Sequence, residues 1–261
     1  MSCTSSRMRR FWLCSALLVA CSQAPSSAHS NPSRSSSPHA VPSSTAPTKA
    51  SPGPIRMETL HEGELPPTFV MRGSPRGPWK IVFLHGMCGH GLGYAQAFQF
   101  SAAKRGTLIA PQGDVSCGGP WSSWSGDIAK LDQRIVETFR ELGLPEPSTD
   151  ITVIGMSLGA TRAAALVQRF PERYTRLIAM AAPSTLGAGL RSLRAAVVMA
   201  GERDRQDLMK TSERSLRGRG VPVTFILIPG ATHGAMGPEP ERTMGAALDF
   251  LAQAESTRSM P

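Results

Sequence analysis

One short stretch constrains this chain more than any other. Gly155-Met156-Ser157-Leu158-Gly159 lies between the apolar run 151–154 and the small-residue stretch 160–169. The first reads as a strand and the second as a helix. Five residues leave no room for a loop, so the strand must turn directly into the helix. The two elements then nearly touch, and only small residues two places either side of Ser157 permit that approach. Such a turn strains the serine backbone and projects its Oγ from the end of a sheet, with a helix N-terminus beneath. A glycine-rich turn carrying a chance serine would look the same in isolation. The rest of the chain has to decide between the two.

The rest alternates. Residues 55–60 and 68–72 pattern as an antiparallel hairpin, and 79–84 as a strand apolar on both faces. A glycine-rich loop, His85 to Gly91, leads into a helix expected over 92–105. A short strand at 107–110 precedes a long loop, 112–126, that holds Trp121 and Trp124. Asp127 is placed to cap a helix on which Ile128, Leu131, Ile135, Phe139 and Leu142 share one face. Further strands are expected at 150–156, 175–181, 195–200 and 222–228, and helices at 205–217 and 239–253. Strands alternating with helices predict an α/β three-layer sandwich, a mostly parallel central sheet with helices on both faces.

Four motifs, each at the end of a strand, resemble the α/β-hydrolase family over roughly residues 55–255. They are His85-Gly86, the Gly155–Gly159 turn, Gly201-Glu202-Arg203-Asp204, and Gly230-Ala231-Thr232-His233-Gly234. Nucleophile, acid, histidine is the chain order of that family. The resemblance implies a serine hydrolase, a carboxylesterase, with Ser157 as nucleophile, His233 as general base and Asp204 as its carboxylate. Serine attacks only when a base takes its proton, and the imidazole needs a carboxylate to orient it. Asp207, one helical turn on, is the rival acid. The Leu158 N–H and the Met87 N–H, with Cys88 as alternative, are the expected oxyanion donors. His85 is expected to hold its loop by hydrogen bonds, and His90 to lie on the loop surface. Only about a dozen residues separate the strand ending near 182 from the one starting at 195, too few for a helical cap. The site should therefore be open. Trp121, Trp124 and Met236 are its expected pocket walls, although the tryptophans could equally pack the loop. A peptidase or thioesterase of the same fold, or a binding protein on the same scaffold, remain as alternatives.

The N-terminus reads separately. Arg7 to Arg10 is a basic segment, and residues 11–20 form an apolar run too short to span a bilayer. It ends Leu18-Val19-Ala20-Cys21, which resembles the lipobox of bacterial lipoproteins. That resemblance implies a signal peptide over 1–20, lipidation at Cys21 and attachment to the cell envelope, periplasmic or outer surface. Residues 21–54, rich in Ser and Pro, read as a disordered tether, and 55–261 as the hydrolase domain. Cys88 and Cys117 are then the two cysteines of the domain, and export favours a disulfide between them over two free thiols.

The net charge of +9 does not point to nucleic acid. Residues 1–56 hold 6 basic residues and no acid, so the remainder has 28 − 6 = 22 basic against 19 acidic residues. No basic stripe is interleaved with aromatics, and Arg214 to Arg219 read as a solvated helix end. His85, Cys88, His90 and Cys117 match no metal-binding spacing. No metal or cofactor is implied. The expected partners are a small-molecule or polymer ester and a membrane reached through the lipid, and a monomer is the expected state.

Overall fold

A computed structural model describes residues 55–60, 65–74, 77–144 and 149–258. The leader, Cys21 and the tether lie outside the described residues, as do residues 61–64 of the first hairpin connection.

Eight strands form one sheet in the order β1-β2-β4-β3-β7-β8-β9-β10. Strands β1 (Arg56–Leu60) and β2 (Thr68–Arg72) are antiparallel, and β2 pairs antiparallel to β4 (Gly106–Pro111). From there the sheet is parallel through β3 (Trp79–Leu84), β7 (Ile151–Met156), β8 (Tyr174–Met180), β9 (Ala195–Gly201) and β10 (Val223–Ile228). Alternation along β3 shows why both faces are covered. Val82 and Leu84 join one core with Ile135, Phe139, Leu166 and Met209. Ile81 and Phe83 join another with Phe98, Ala102, Met244 and Leu248. Helices α3 (Ile128–Glu141), α4 (Leu158–Arg169) and α5 (Gln206–Arg217) therefore cover the first face. Helices α1 (Gly91–Ala97), α2 (Gln99–Arg105) and α6 (Pro240–Arg258) cover the second.

The register sets the site. Leu84 sits opposite Gly155, Met156 opposite Met180, and Ile228 opposite Gly201. The residues that follow β3, β7, β9 and β10 therefore emerge at one edge, the C-terminal edge, where open parallel sheets gather their ligands.

Two elements differ from the sequence reading. The helix expected over 92–105 is broken at Phe98, whose ring is fully buried and whose N–H turns back to Ala95. The expected loop 112–126 contains a second sheet, β5 (Val115–Gly118) paired with β6 (Trp121–Ser123). Asp127 caps α3 as expected: its Oδ1 accepts the Lys130 N–H at 3.1 Å. The arginines near the end of α5 each find a partner on their own helix: Arg214 with Thr211, Arg217 with Glu213, Arg219 with Ser215.

Candidate active site

Ser157 occupies the turn between β7 and α4 at φ 51° and ψ −117°. A non-glycine residue held there costs about 1–3 kcal/mol, and its surroundings hold it: the Ser157 N–H donates to the Met180 carbonyl at 2.8 Å. The flanking glycines are explained by distance. A Cβ on Gly155 would lie 2.3 Å from the Gly159 oxygen, and one on Gly159 would lie 2.0 Å from the Leu84 oxygen. Both obstacles are backbone and neither can rotate away. Gly159→Ala is therefore expected to destabilise the fold by about 3–5 kcal/mol. Urea denaturation checks this, and a loss under about 1 kcal/mol would contradict the packing argument.

The imidazole of His233, on the loop after β10, completes a chain of contacts. Its Nε2 lies 2.9 Å from Ser157 Oγ, and its Nδ1 lies 3.0 Å from Asp204 Oδ2. A carboxylate only accepts, so Nδ1 carries the proton and Nε2 turns its lone pair to the serine hydroxyl. Asp204 is fixed in turn, because its Oδ1 accepts the Arg205 N–H at 2.7 Å. The Asp204 side chain is 9% exposed, against 55% for His233. Asp207 is not its rival in space: it is exposed and pairs with Arg205 at 3.1 Å, a hydrogen bond that holds its pKa below the ordinary carboxylate value. Two supports carry no sequence signal. Tyr94 donates its hydroxyl to the Gly234 carbonyl at 2.8 Å, and Glu202 accepts the Gly230 N–H at 2.8 Å. Both tie the histidine loop to neighbouring elements.

The loop after β3 lies against the serine. A Cβ on Gly86 would be 3.4 Å from Ser157 Cβ. His85 is fully buried beneath it. Its Nδ1–H donates to the Gly86 carbonyl at 2.7 Å, and its Nε2 accepts the Gly113 N–H at 2.9 Å. Both ring nitrogens are thus committed to the neutral form. Burial lowers the His85 pKa to about 4, against a smaller opposing pull from the Gly86 carbonyl. The depressed value fixes the sign of the pH effect. His85 contributes stability that is fully present above pH 6.5 and is lost as pH falls toward 4. The total is about 3 kcal/mol. Melting temperatures taken between those limits should fall more steeply for wild type than for His85→Asn; parallel profiles would refute this.

Met87, next along, is exposed, and Leu158 is the first residue of α4, so its N–H has no intrahelical acceptor. Cys88 holds φ 47° and forms a disulfide with Cys117, Cα to Cα 5.5 Å. Neither sulfur is therefore a thiolate available to a metal. Gly89 exchanges two backbone hydrogen bonds with Ser122, at 3.0 and 3.2 Å. Buried Gln112 links the same two loops, donating to Gly89 O at 2.9 Å and accepting from Gly91 N–H at 2.8 Å.

The expected pocket walls divide. Trp121 is exposed, and Met236 is half-buried against the α6-side core. Trp124 is 7% exposed, so the expectation that it forms an aromatic wall at the site surface is corrected. Its Nε1–H donates to the His85 carbonyl at 2.8 Å, and its ring lies 4.7 Å from the His85 ring. It holds the loop from below. His90 also differs from a free surface residue, because it lies between Phe69 at 5.2 Å and Trp121 at 6.0 Å. Beside the His233–Asp204 pair is a cavity of about 220 Å³, walled by Ala181, Ala182, Pro183 and Leu208. No helix stands between Met180 and Ala195; the first residues of that connection, Ala181, Ala182 and Pro183, form part of the cavity wall.

No protein-family model matches the chain, and no curated protein matches it. Solved structures do. A bacterial membrane phospholipase A superposes with a TM-score of 0.56 at 14% identity, over 77% of this chain and 87% of that one. Naproxen esterase from Bacillus subtilis gives 0.55 at 14% identity, over 76% and 92%. A 2-hydroxy-6-oxo-6-phenylhexa-2,4-dienoate hydrolase from a Rhodococcus species gives 0.53 at 16% identity, over 77% and 99%. At such identities the likeness speaks for architecture alone, and on that the strand order and the neighbours agree: this chain has the α/β-hydrolase fold.

Proposed function

We propose that the protein is a serine hydrolase that cleaves carboxylic esters through an acyl-enzyme on Ser157. The observation that carries this is the unbroken contact from Ser157 Oγ through His233 to Asp204 at 2.9 and 3.0 Å. Ser157 Oγ attacks the ester carbonyl carbon as His233 Nε2 takes its proton. The alcohol leaves with that proton, and a water activated by the same nitrogen then releases the acid. Asp204 stabilises the imidazolium formed in between. The Leu158 and Met87 N–H groups receive the oxyanion, each worth about 3–4 kcal/mol in the barrier. Met87 and Trp121 are exposed apolar side chains on the segments after β3 and β4, and a connection after β8 without a helix suits bulky or polymeric esters. The full chain should react with a fluorophosphonate probe and hydrolyse short-chain p-nitrophenyl esters, and Ser157→Ala should do neither. Wild type that resists the probe would end this reading in favour of a binding protein on the same scaffold.

We also propose, from the lipobox-like Leu18-Val19-Ala20-Cys21, that the protein is exported and anchored by lipid on Cys21. The Cys88–Cys117 disulfide supports an oxidising compartment. Cells fed a palmitate analogue should label the wild-type chain and leave Cys21→Ser unlabelled. Equal labelling of both would remove the anchor.

A further inference from the structure

A second cavity, about 270 Å³, lies on the α3–α4 face, away from the triad. Trp124, Leu131, Ile128 and Leu65 supply apolar walls, and Trp124 and Leu131 are buried. Charged groups also line it, and their partners separate them. Asp114 accepts the N–H and the hydroxyl of Ser125. Asp127 accepts the Lys130 N–H at 3.1 Å, and its second oxygen lies 3.9 Å from the Lys130 Nζ. Glu137 accepts from Gln133 at 2.9 Å. Arg134 reaches the carbonyls of Gln112 and Pro66 and the hydroxyl of Thr68.

Arg162 makes fewer contacts. Its guanidinium lies against Gly126, where a Cβ would fall 3.1 Å from Nη2. Among the described residues its one hydrogen bond is a 3.5 Å contact from Nη2 to the Trp124 carbonyl. Its Nε is buried and, among the described residues, has no partner, and no carboxylate pairs with it. A buried charged donor left in that state costs more than an ordinary unmade hydrogen bond. A planar carboxylate suits a guanidinium fork, and 270 Å³ is the volume of about nine liquid waters. That accommodates a body of about ten non-hydrogen atoms.

We infer that this cavity binds a small apolar monocarboxylate, its head on Arg162 and its body between Trp124, Ile128 and Leu131. The cavity shares no lining residue with the one beside His233 and does not depend on the hydrolase reading. Trp124 forms its floor and also donates to the His85 carbonyl, so an occupant touches the residue that supports the loop beside the serine.

Calorimetric titration of the full chain with 4-phenylbutyrate tests this. Wild type and Ser157→Ala should bind it equally, Arg162→Gln should bind about tenfold or more weakly, and the neutral 4-phenylbutyramide should not bind. Ile128→Trp keeps the arginine and fills the cavity, so it should also lose binding, and it decides the matter if Arg162→Gln does not fold. Absence of heat with wild type overturns the inference, as does undiminished binding by Arg162→Gln or by Ile128→Trp. Binding lost on modification of Ser157 with a phosphonate would assign the ligand to the catalytic pocket and overturn it too. Because Ser157→Ala is the reference, failure here and failure of the hydrolase reading are separate results.

Discussion

Replacing Asp204 with Asn lowers kcat for a p-nitrophenyl ester by about 10⁴-fold, whereas replacing Asp207 with Asn leaves it within about twofold. The asymmetry follows from what surrounds each carboxyl. Asp204 Oδ1 accepts the Arg205 N–H at 2.7 Å, so an asparagine there keeps its oxygen at that position. Its NH₂ then faces His233 Nδ1, where Asp204 Oδ2 now lies at 3.0 Å. Two donors cannot share that contact. The imidazole responds by carrying its proton on Nε2, which leaves Ser157 Oγ without an acceptor. Asp207 touches Arg205 and not His233, so its loss removes an exposed ion pair of small effect. Steady-state rates of the two variants, with circular dichroism to confirm folding, decide the matter. Full activity in Asp204→Asn together with loss in Asp207→Asn would overturn the assignment of the acid.

The second large effect is expected from the disulfide. The double variant Cys88→Ser, Cys117→Ser should lose about 3–4 kcal/mol of stability, the chain-entropy value for a closed loop of this span. The rate should also suffer at temperatures where the variant remains folded. Cys88 sits directly after Met87 and holds a positive φ that costs about 1–3 kcal/mol without support. Once the disulfide is cut, the backbone can relax and displace the Met87 N–H, the donor proposed for the oxyanion. Loss of one oxyanion donor lowers kcat by about 10²-fold or more with little change in KM. A variant that melts early but turns over at the wild-type rate would show that Gln112 and the Gly89–Ser122 pair hold the loop alone.

The parts legible in the sequence are those with strong local constraints. The Gly155–Gly159 turn is fixed by backbone collisions, and β3 and β7 are apolar strands interrupted only by Lys80 and Thr152. The apolar stripe of α3 and its Asp127 cap are local signals, and they appear as read. Ser157, Asp204 and His233 were indicated by the resemblance to the α/β-hydrolase chain order, with Asp207 as rival acid, and the structure brings the three together at 2.9 and 3.0 Å. What was not legible depends on tertiary burial. The break at Phe98 follows from a ring that fills the core beneath β3. The β5–β6 hairpin has an exposed first strand, Val115–Gly118, so no alternation betrays it. Trp121 and Trp124 are three residues apart and look equivalent in sequence, yet one faces solvent and the other lies under His85. Gln112 reaches Gly91 and Gly89, 21 and 23 residues away, Glu202 reaches Gly230 at 28 and Tyr94 reaches Gly234 at 140, and no local pattern marks these contacts.

The order of strands in the sheet also bears on how the protein is made. Ser157 and the His85–Gly86 loop stand on the neighbouring strands β7 and β3, while His233 follows β10, which lies at the far edge and pairs with β9 alone. A nascent chain can thus present the serine on its turn well before the imidazole has been synthesised. Until β10 docks, that hydroxyl has no base and is chemically ordinary. On the proposed mechanism, premature termination products ending upstream of His233 lack the base for Ser157 and are expected to show no esterase activity, so an esterase assay would count only chains translated past His233.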